Sequence, residues 1–321
     1  MTGHKAEGSR QTIAALMFAF CLVPSAFVRP SAWLATQPVR GITAAADVAR
    51  AYDLILDANF DELQKALPTI CPPAPAVACR GLEALSLWWQ IQLDLEDRRL
   101  DAAFLSTVNG AIAEAEQFAA AEPERAEAWF YVGAAYGARS QFRVYRGERL
   151  AAARDGKRIK AALEKALALD PDMHDAQFGI GMYRYYAGVA PAIFRFVRFL
   201  LLLPGGDRAG GLAQLEHASR NGVLVRGEAQ FQIHVLYLWY EHRSPDALAL
   251  IRVLQERYPH NPLFHHIEAE ILDVYFHDHA ASLQASERLL SLAQSGAVFR
   301  AGVAEKLARR NIAKQSIALK Q

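Results

Sequence analysis

Cysteine is scarce, with three in 321 residues. Two of them, Cys71 and Cys79, are too few for a structural zinc site, and their spacing is not C-x-x-C. No stretch sustains the apolar–polar alternation of a half-buried strand, so β structure is not expected. The chain has no H-E-x-x-H and no G-x-S-x-G, and its one glycine-rich loop, LPGGDRAGGL, lacks the Lys-Ser/Thr ending of a phosphate loop. These absences argue against a metalloprotease, a serine hydrolase and a nucleotide-binding enzyme. Charge is nearly balanced, at +1, which with the export expected below excludes nucleic acid as a partner.

Apolar residues make up 52% of the chain, ample for a continuous core. Residues 1–35 have the layout of a secretory signal. Lys5 and Arg10 precede the apolar run TIAALMFAFCLVPSAFV at residues 12–28, Pro24 breaks it, and small residues follow. Phe20 before Cys21 is too bulky for a lipoprotein signal. The expected location is the periplasm or another extracytoplasmic space. The alternative is an uncleaved membrane anchor at residues 12–28. In an oxidising compartment Cys71 and Cys79 can close a disulfide worth roughly 2.5 kcal/mol by chain entropy. Two buried thiols beneath the Pro-rich loop between them are the structural alternative.

From about Thr43 onward nearly every segment has helical periodicity, punctuated by Pro, Gly and Asp at the intervals of paired antiparallel helices. The predicted helices lie near 44–57, 60–67, 77–95, 101–121, 125–150, 155–169 and 172–188. The remainder lie near 190–203, 208–221, 226–243, 245–258, 261–276, 279–294 and 297–318. In AEAWFYVGAAY, Trp129, Val132, Gly133 and Tyr136 fall at spacings of three, one and three. KAALEKALALDP, PDALALIRVLQERYP and AIAEAEQFAAAEP place small residues, large apolar residues and a closing proline in a partner-helix pattern. Together these segments resemble the tetratricopeptide repeat family. AQFGIGMYRYYAG and LPGGDRAGGL narrow the likeness to exported bacterial members without an assigned activity. The resemblance implies an all-α fold over residues 43–321, a right-handed superhelix of antiparallel helix pairs. It also implies a concave face that binds proteins or peptides. Trp129 and Pro171 stand about fourteen residues further apart than one repeat allows, so the helices between them are extended or carry an insertion.

Charge is distributed unevenly. Residues 52–130 carry fourteen acids against five bases, whereas residues 139–160 carry eight bases against two acids. Arg139, Arg143 and Arg146 share one helix face at spacings of four and three. Guanidinium forks suit carboxylates and phosphates, so the three arginines are candidates for a wall that receives an acidic peptide. Solvation, or pairing with the acidic half, is the structural alternative. Tyr183 and Tyr185, beside Tyr186, are candidate aromatic anchors, and Tyr237, Trp239 and Tyr240 form a second aromatic group. The apolar stretch 192–203 is too short to span a bilayer. It reads as a core helix or as an interfacial helix with Arg195 and Arg198 at the headgroups. His260, His265, His266, His277 and His279 do not adopt the helical spacing of metal ligands. The expected function is an exported scaffold that binds proteins or peptides, without cofactor or catalytic site. The alternatives are a membrane-peripheral protein using the 192–203 helix, or an enzyme built on the repeats.

Overall fold

The structure, a computed structural model, describes residues 40–189 and 206–320. The signal-like segment and the apolar stretch 192–203, with Arg195 and Arg198, lie outside the described residues. Every regular element described is a helix. In order they are α1 (Ala45–Leu56), α2 (Phe60–Ile70), α3 (Ala76–Gln92), α4 (Asp101–Ala121), α5 (Ala126–Tyr145), α6 (Arg149–Leu169) and α7 (His174–Val189). After the undescribed stretch come α8 (Arg208–Asn221), α9 (Arg226–Trp239), α10 (Ser244–Arg257), α11 (Pro262–Val274), α12 (His279–Gln294) and α13 (Ala301–Ala318).

Local chemistry sets many of the boundaries. Asp207 caps α8 by accepting a hydrogen bond from the Gly210 N–H at 2.9 Å. Asn261 and Asp278 cap α11 and α12 in the same way, at 3.0 and 2.9 Å. The clearest departure from the sequence reading lies between α5 and α6. A helix was expected to run to residue 150, but it ends at Tyr145 because Gly147 takes a left-handed φ of +82°. The chain then turns straight into α6 at Arg149. The extra length between Trp129 and Pro171 therefore resides in two long helices, of 20 and 21 residues, joined by a tight turn. Cys79 stands in the first turn of α3, inside the helix expected near 77–95, and is bonded to Cys71 at the end of α2.

Each helix packs on the next, which makes the array a helical solenoid. The odd-numbered helices α1, α3, α5 and α7 also touch one another in series, forming one layer. Glycine decides the spacing at the centre of the stack. A methyl group on Gly133 of α5 or on Gly179 of α7 would overlap the Leu163 side chain of α6. Leu163 therefore sits as a knob between two glycine-floored holes, and three helices approach closely. Gly181 and Gly211 do the same for α7 and α8, each lying against the other's carbonyl oxygen.

The solenoid also closes on itself. Asp53 of α1 accepts hydrogen bonds from the Tyr258 hydroxyl at 2.6 Å and from Arg257. Asp57 meets His260 at 2.8 Å, and Asn261 donates to the Leu56 carbonyl at 2.7 Å. Trp89 of α3 is fully buried, with its ring 5.0 Å from Phe231 of α9 and 5.8 Å from Phe264 of α11. The first three helices thus dock against α9–α11 across some two hundred residues of sequence. Burying an indole among aromatic rings contributes a few kcal/mol at each such site.

Candidate binding cavity

Closure leaves a chamber between the layers. Its volume is about 850 Å³, within the roughly 300–1,000 Å³ typical of small-molecule sites. Side chains from α1, α3, α4, α5, α6, α7 and α9 line it. Most are apolar, including Leu82, Phe130, Val144, Ile159, Phe178 and Val235. Small residues open the space: Gly81 on α3 and Gly137 on α5 face the chamber, and a methyl group on either would meet no atom within 4 Å.

α9 supplies the polar floor. Glu228, Gln232, Val235 and Trp239 recur at spacings of four, three and four, so one face of this helix forms the wall. Glu228 is 3% exposed. Its carboxylate accepts hydrogen bonds from the Tyr52 hydroxyl at 3.1 Å and from the Gln232 amide at 2.9 Å. Burial raises its pKa, because the charged form loses its water, and the bonds from Gln232 and Tyr52 only partly oppose that shift. The same burial, reinforced by the Glu228 charge, lifts the Tyr52 phenol well above its usual range. Tyr145, also on the wall, is raised by burial and then by the charge on Glu228. Tyr131 lines the chamber with its hydroxyl buried and without a hydrogen-bond partner. Asp175 also borders the chamber, but its oxygens are taken by the backbone N–H groups of Val223, Leu224 and Val225 at the start of α9.

Aromatic side chains continue the wall. Tyr186 and Tyr240 pack edge to face, 6.0 Å apart, and each stands 5.9 Å from Tyr185. Trp239, also on the lining, is 61% exposed. Among the aromatic anchors expected from sequence, Tyr183 borders the chamber from α7. Tyr185 does not present itself to a ligand. It is fully buried and donates a 2.5 Å hydrogen bond to Glu241, which also holds Arg208.

Arg139 and Arg143 turn to one acid, Arg146 stands just past the end of α5 and turns to another, and the three do not form an open anion-binding wall. Arg139 binds Asp155 through Nε and Nη2, at 3.0 and 2.7 Å, and Asn109 through Nη1. Arg143 reaches the same Asp155 at 2.6 Å. Arg146, its side chain 8% exposed, clasps Asp101 with two hydrogen bonds and the Leu95 carbonyl with a third. The forks are filled by the chain's own acceptors because Asp155, nearly buried on α6, needs cations around it. An incoming carboxylate would have to displace one already in place.

The late histidines are scattered. His260 pairs with Asp57, His266 with Glu270, and His279 with Asp273. Among the described residues no group of three His, Cys, Asp or Glu side chains could hold a metal ion, and no helix is long and apolar enough to cross a membrane.

Sequence reasoning passed over Glu228, Tyr52 and Gln232. The usable signal was an acid and an amide four apart on the one polar strip of an otherwise apolar helix, RGEAQFQIHVLYLW. No protein-family model matches the chain, and no curated protein matches it.

Proposed function

We propose that this chain is a binding protein whose helical array encloses an apolar guest. The observation that carries the reading is the 850 Å³ chamber, walled mainly by apolar side chains from seven helices and left open at Gly81 and Gly137. Apolar lining with a few convergent polar groups is the usual make-up of a ligand site. The guest is taken to be a single molecule with hydrocarbon character, and its affinity comes from leaving water. The protein is further proposed to work outside the cytoplasm. The signal-like residues 1–35 support this, as does the Cys71–Cys79 disulfide, a bond favoured in oxidising compartments.

The test is a fluorescence titration of the full-length chain with Nile red, a neutral apolar dye. Gly81→Leu with Gly137→Leu places two isobutyl groups into the chamber without a clash at either Cβ. Both substitutions also replace glycine inside a helix, which favours folding. Dye affinity is expected to fall by about tenfold, the equivalent of roughly two buried methylenes of contact, while Tm holds or rises. Unchanged dye affinity in a folded double variant would show that the chamber is not the binding site.

A second reading retains a protein partner. Trp239 is 61% exposed on the chamber's lining, and an exposed aromatic beside a hollow suits a peptide that inserts an apolar side chain. That reading keeps the scaffold role implied by the tetratricopeptide-like pattern. It predicts that Trp239→Ala weakens capture of a partner polypeptide and leaves Nile red binding intact.

A further inference from the structure

Seven acids are buried among the described residues: Glu127, Asp155, Asp170, Asp175, Glu228, Glu268 and Asp273. Six of them are met by a cation or by backbone N–H groups. Glu127 has Arg125, Asp155 has Arg139 and Arg143, Glu268 has Arg252 and Arg288, and Asp273 has Lys314. Asp170 takes the N–H of Gly41 and Asp175 takes three from the start of α9. Glu228 differs. Its partners are all neutral: the Tyr52 phenol and the Gln232 amide donate to it, and the Gln141 amide and the Trp89 indole stand near enough to lower its pKa. It is also the buried acid that borders the chamber without a cation or backbone donor of its own.

A buried carboxylate is costly unless a positive charge or several strong donors accompany it. Everywhere else in this fold that requirement is met. From this contrast we infer that the chamber is built for an organic cation, an amphiphilic amine whose ammonium head meets Glu228 and whose hydrocarbon body fills the apolar space. The inference rests on the chamber being a binding site.

Three further features fit that occupant. The only cationic side chain on the chamber wall among the described residues is Arg149, set against Glu228 and Asp175. Tyr52 and Tyr145 border the same space as Glu228, and their ring faces attract a desolvated ammonium group. Glu228 also occupies the first turn of α9, where the helix end favours its ionised form. A fatty acid is the opposite case, since its carboxylate would be brought beside a buried acid.

The experiment compares three ligands of equal chain length, each titrated calorimetrically into the full-length protein: octylammonium, octanol and octanoate. The wild type is expected to bind octylammonium about tenfold more tightly than octanol, the scale of one charge-assisted hydrogen bond, and octanoate least. Glu228→Gln keeps the shape and removes the charge, at the cost of one of the two oxygens that accept from Tyr52 and Gln232. It is expected to bring octylammonium down to the level of octanol. If the wild type binds octanol as tightly as octylammonium, the cation preference is wrong and the apolar-guest reading stands. If octylammonium keeps its advantage in Glu228→Gln, the cation is held elsewhere and the assignment to Glu228 is overturned. If none of the three ligands and no dye binds, both readings fall together. The wild-type comparison decides the preference even if Glu228→Gln does not fold.

Discussion

The two ends of the solenoid bury polar groups in opposite ways. Where α12 packs on α13, Ser282, Ser286, Asn311 and Gln315 form a closed chain of hydrogen bonds. Ser282 donates to the Ala269 carbonyl, Asn311 donates to both serine hydroxyls at 3.1 and 2.6 Å, and Gln315 donates to Asn311. Beside it lies a small apolar cluster of its own around Leu289, Val298 and Ala304. At the other end, where α1 and α3 meet α9, the polar groups surround a hollow, and Glu228 has no ion pair among the described residues. Buried polarity alone therefore does not mark a site. A satisfied network fixes how two helices pair, whereas an acid with neutral partners beside a hollow is where we propose that a cationic guest is held.

The largest test of that contrast is Trp89→Ala. Trp89 holds α3 against Phe231 and Phe264, so its removal should cost about 3–5 kcal/mol in urea unfolding. It should also abolish Nile red binding by opening the ring of helices. A folded variant that still bound the dye would mean the chamber does not depend on closure.

The next effect is a pH dependence confined to α9. His234 is buried beside Phe231, and burial lowers its pKa to about 4. The folded protein keeps this imidazole neutral down to that pH, whereas the unfolded chain takes up the proton near 6.5. The stability it contributes is thus complete above about pH 6.5 and is lost as pH falls through the window to about 4, at most about 3 kcal/mol. His234→Gln should flatten the fall in urea midpoint between pH 7 and pH 4.5. An identical fall in both proteins would remove His234 as its source. Glu228, with a raised pKa, acts in the other direction: its charge destabilises the empty chamber as pH rises above the ordinary carboxylate range.

The smallest effect belongs to the C-terminal stack. Asn311→Ala leaves two serine hydroxyls and the Gln315 amide without their partner, at a cost of about 1–3 kcal/mol. Dye and octylammonium binding should be unaffected. A loss of binding in this variant would couple the two ends and break the distinction between them.

Sequence periodicity made the helices legible because an amphipathic helix declares itself within a dozen residues. Gly133 stood out as part of the repeat-like spacing, and Leu163 proved to be the side chain that fills the gap it leaves. Where the boundary failed, at Gly147, one left-handed residue outweighed a helical pattern that continued on both sides. The arginine spacing left the chemistry open, because spacing along one helix does not say which acid the next helix brings. Asp155 is only twelve residues beyond Arg143, yet the turn at Gly147 had to be known before the two could be paired.

By itself, then, the sequence determined an all-helical chain of paired elements and a cysteine pair close enough to bond. All of these depend on interactions between near neighbours. Only the tertiary structure decided that the first helices return to meet α9–α11, that a hollow remains between them, and that Glu228 borders it with no ion pair among the described residues. Those facts depend on the accumulated curvature of the helical stack. Small rotations at each interface add up along the array, and no single stretch of sequence records their sum.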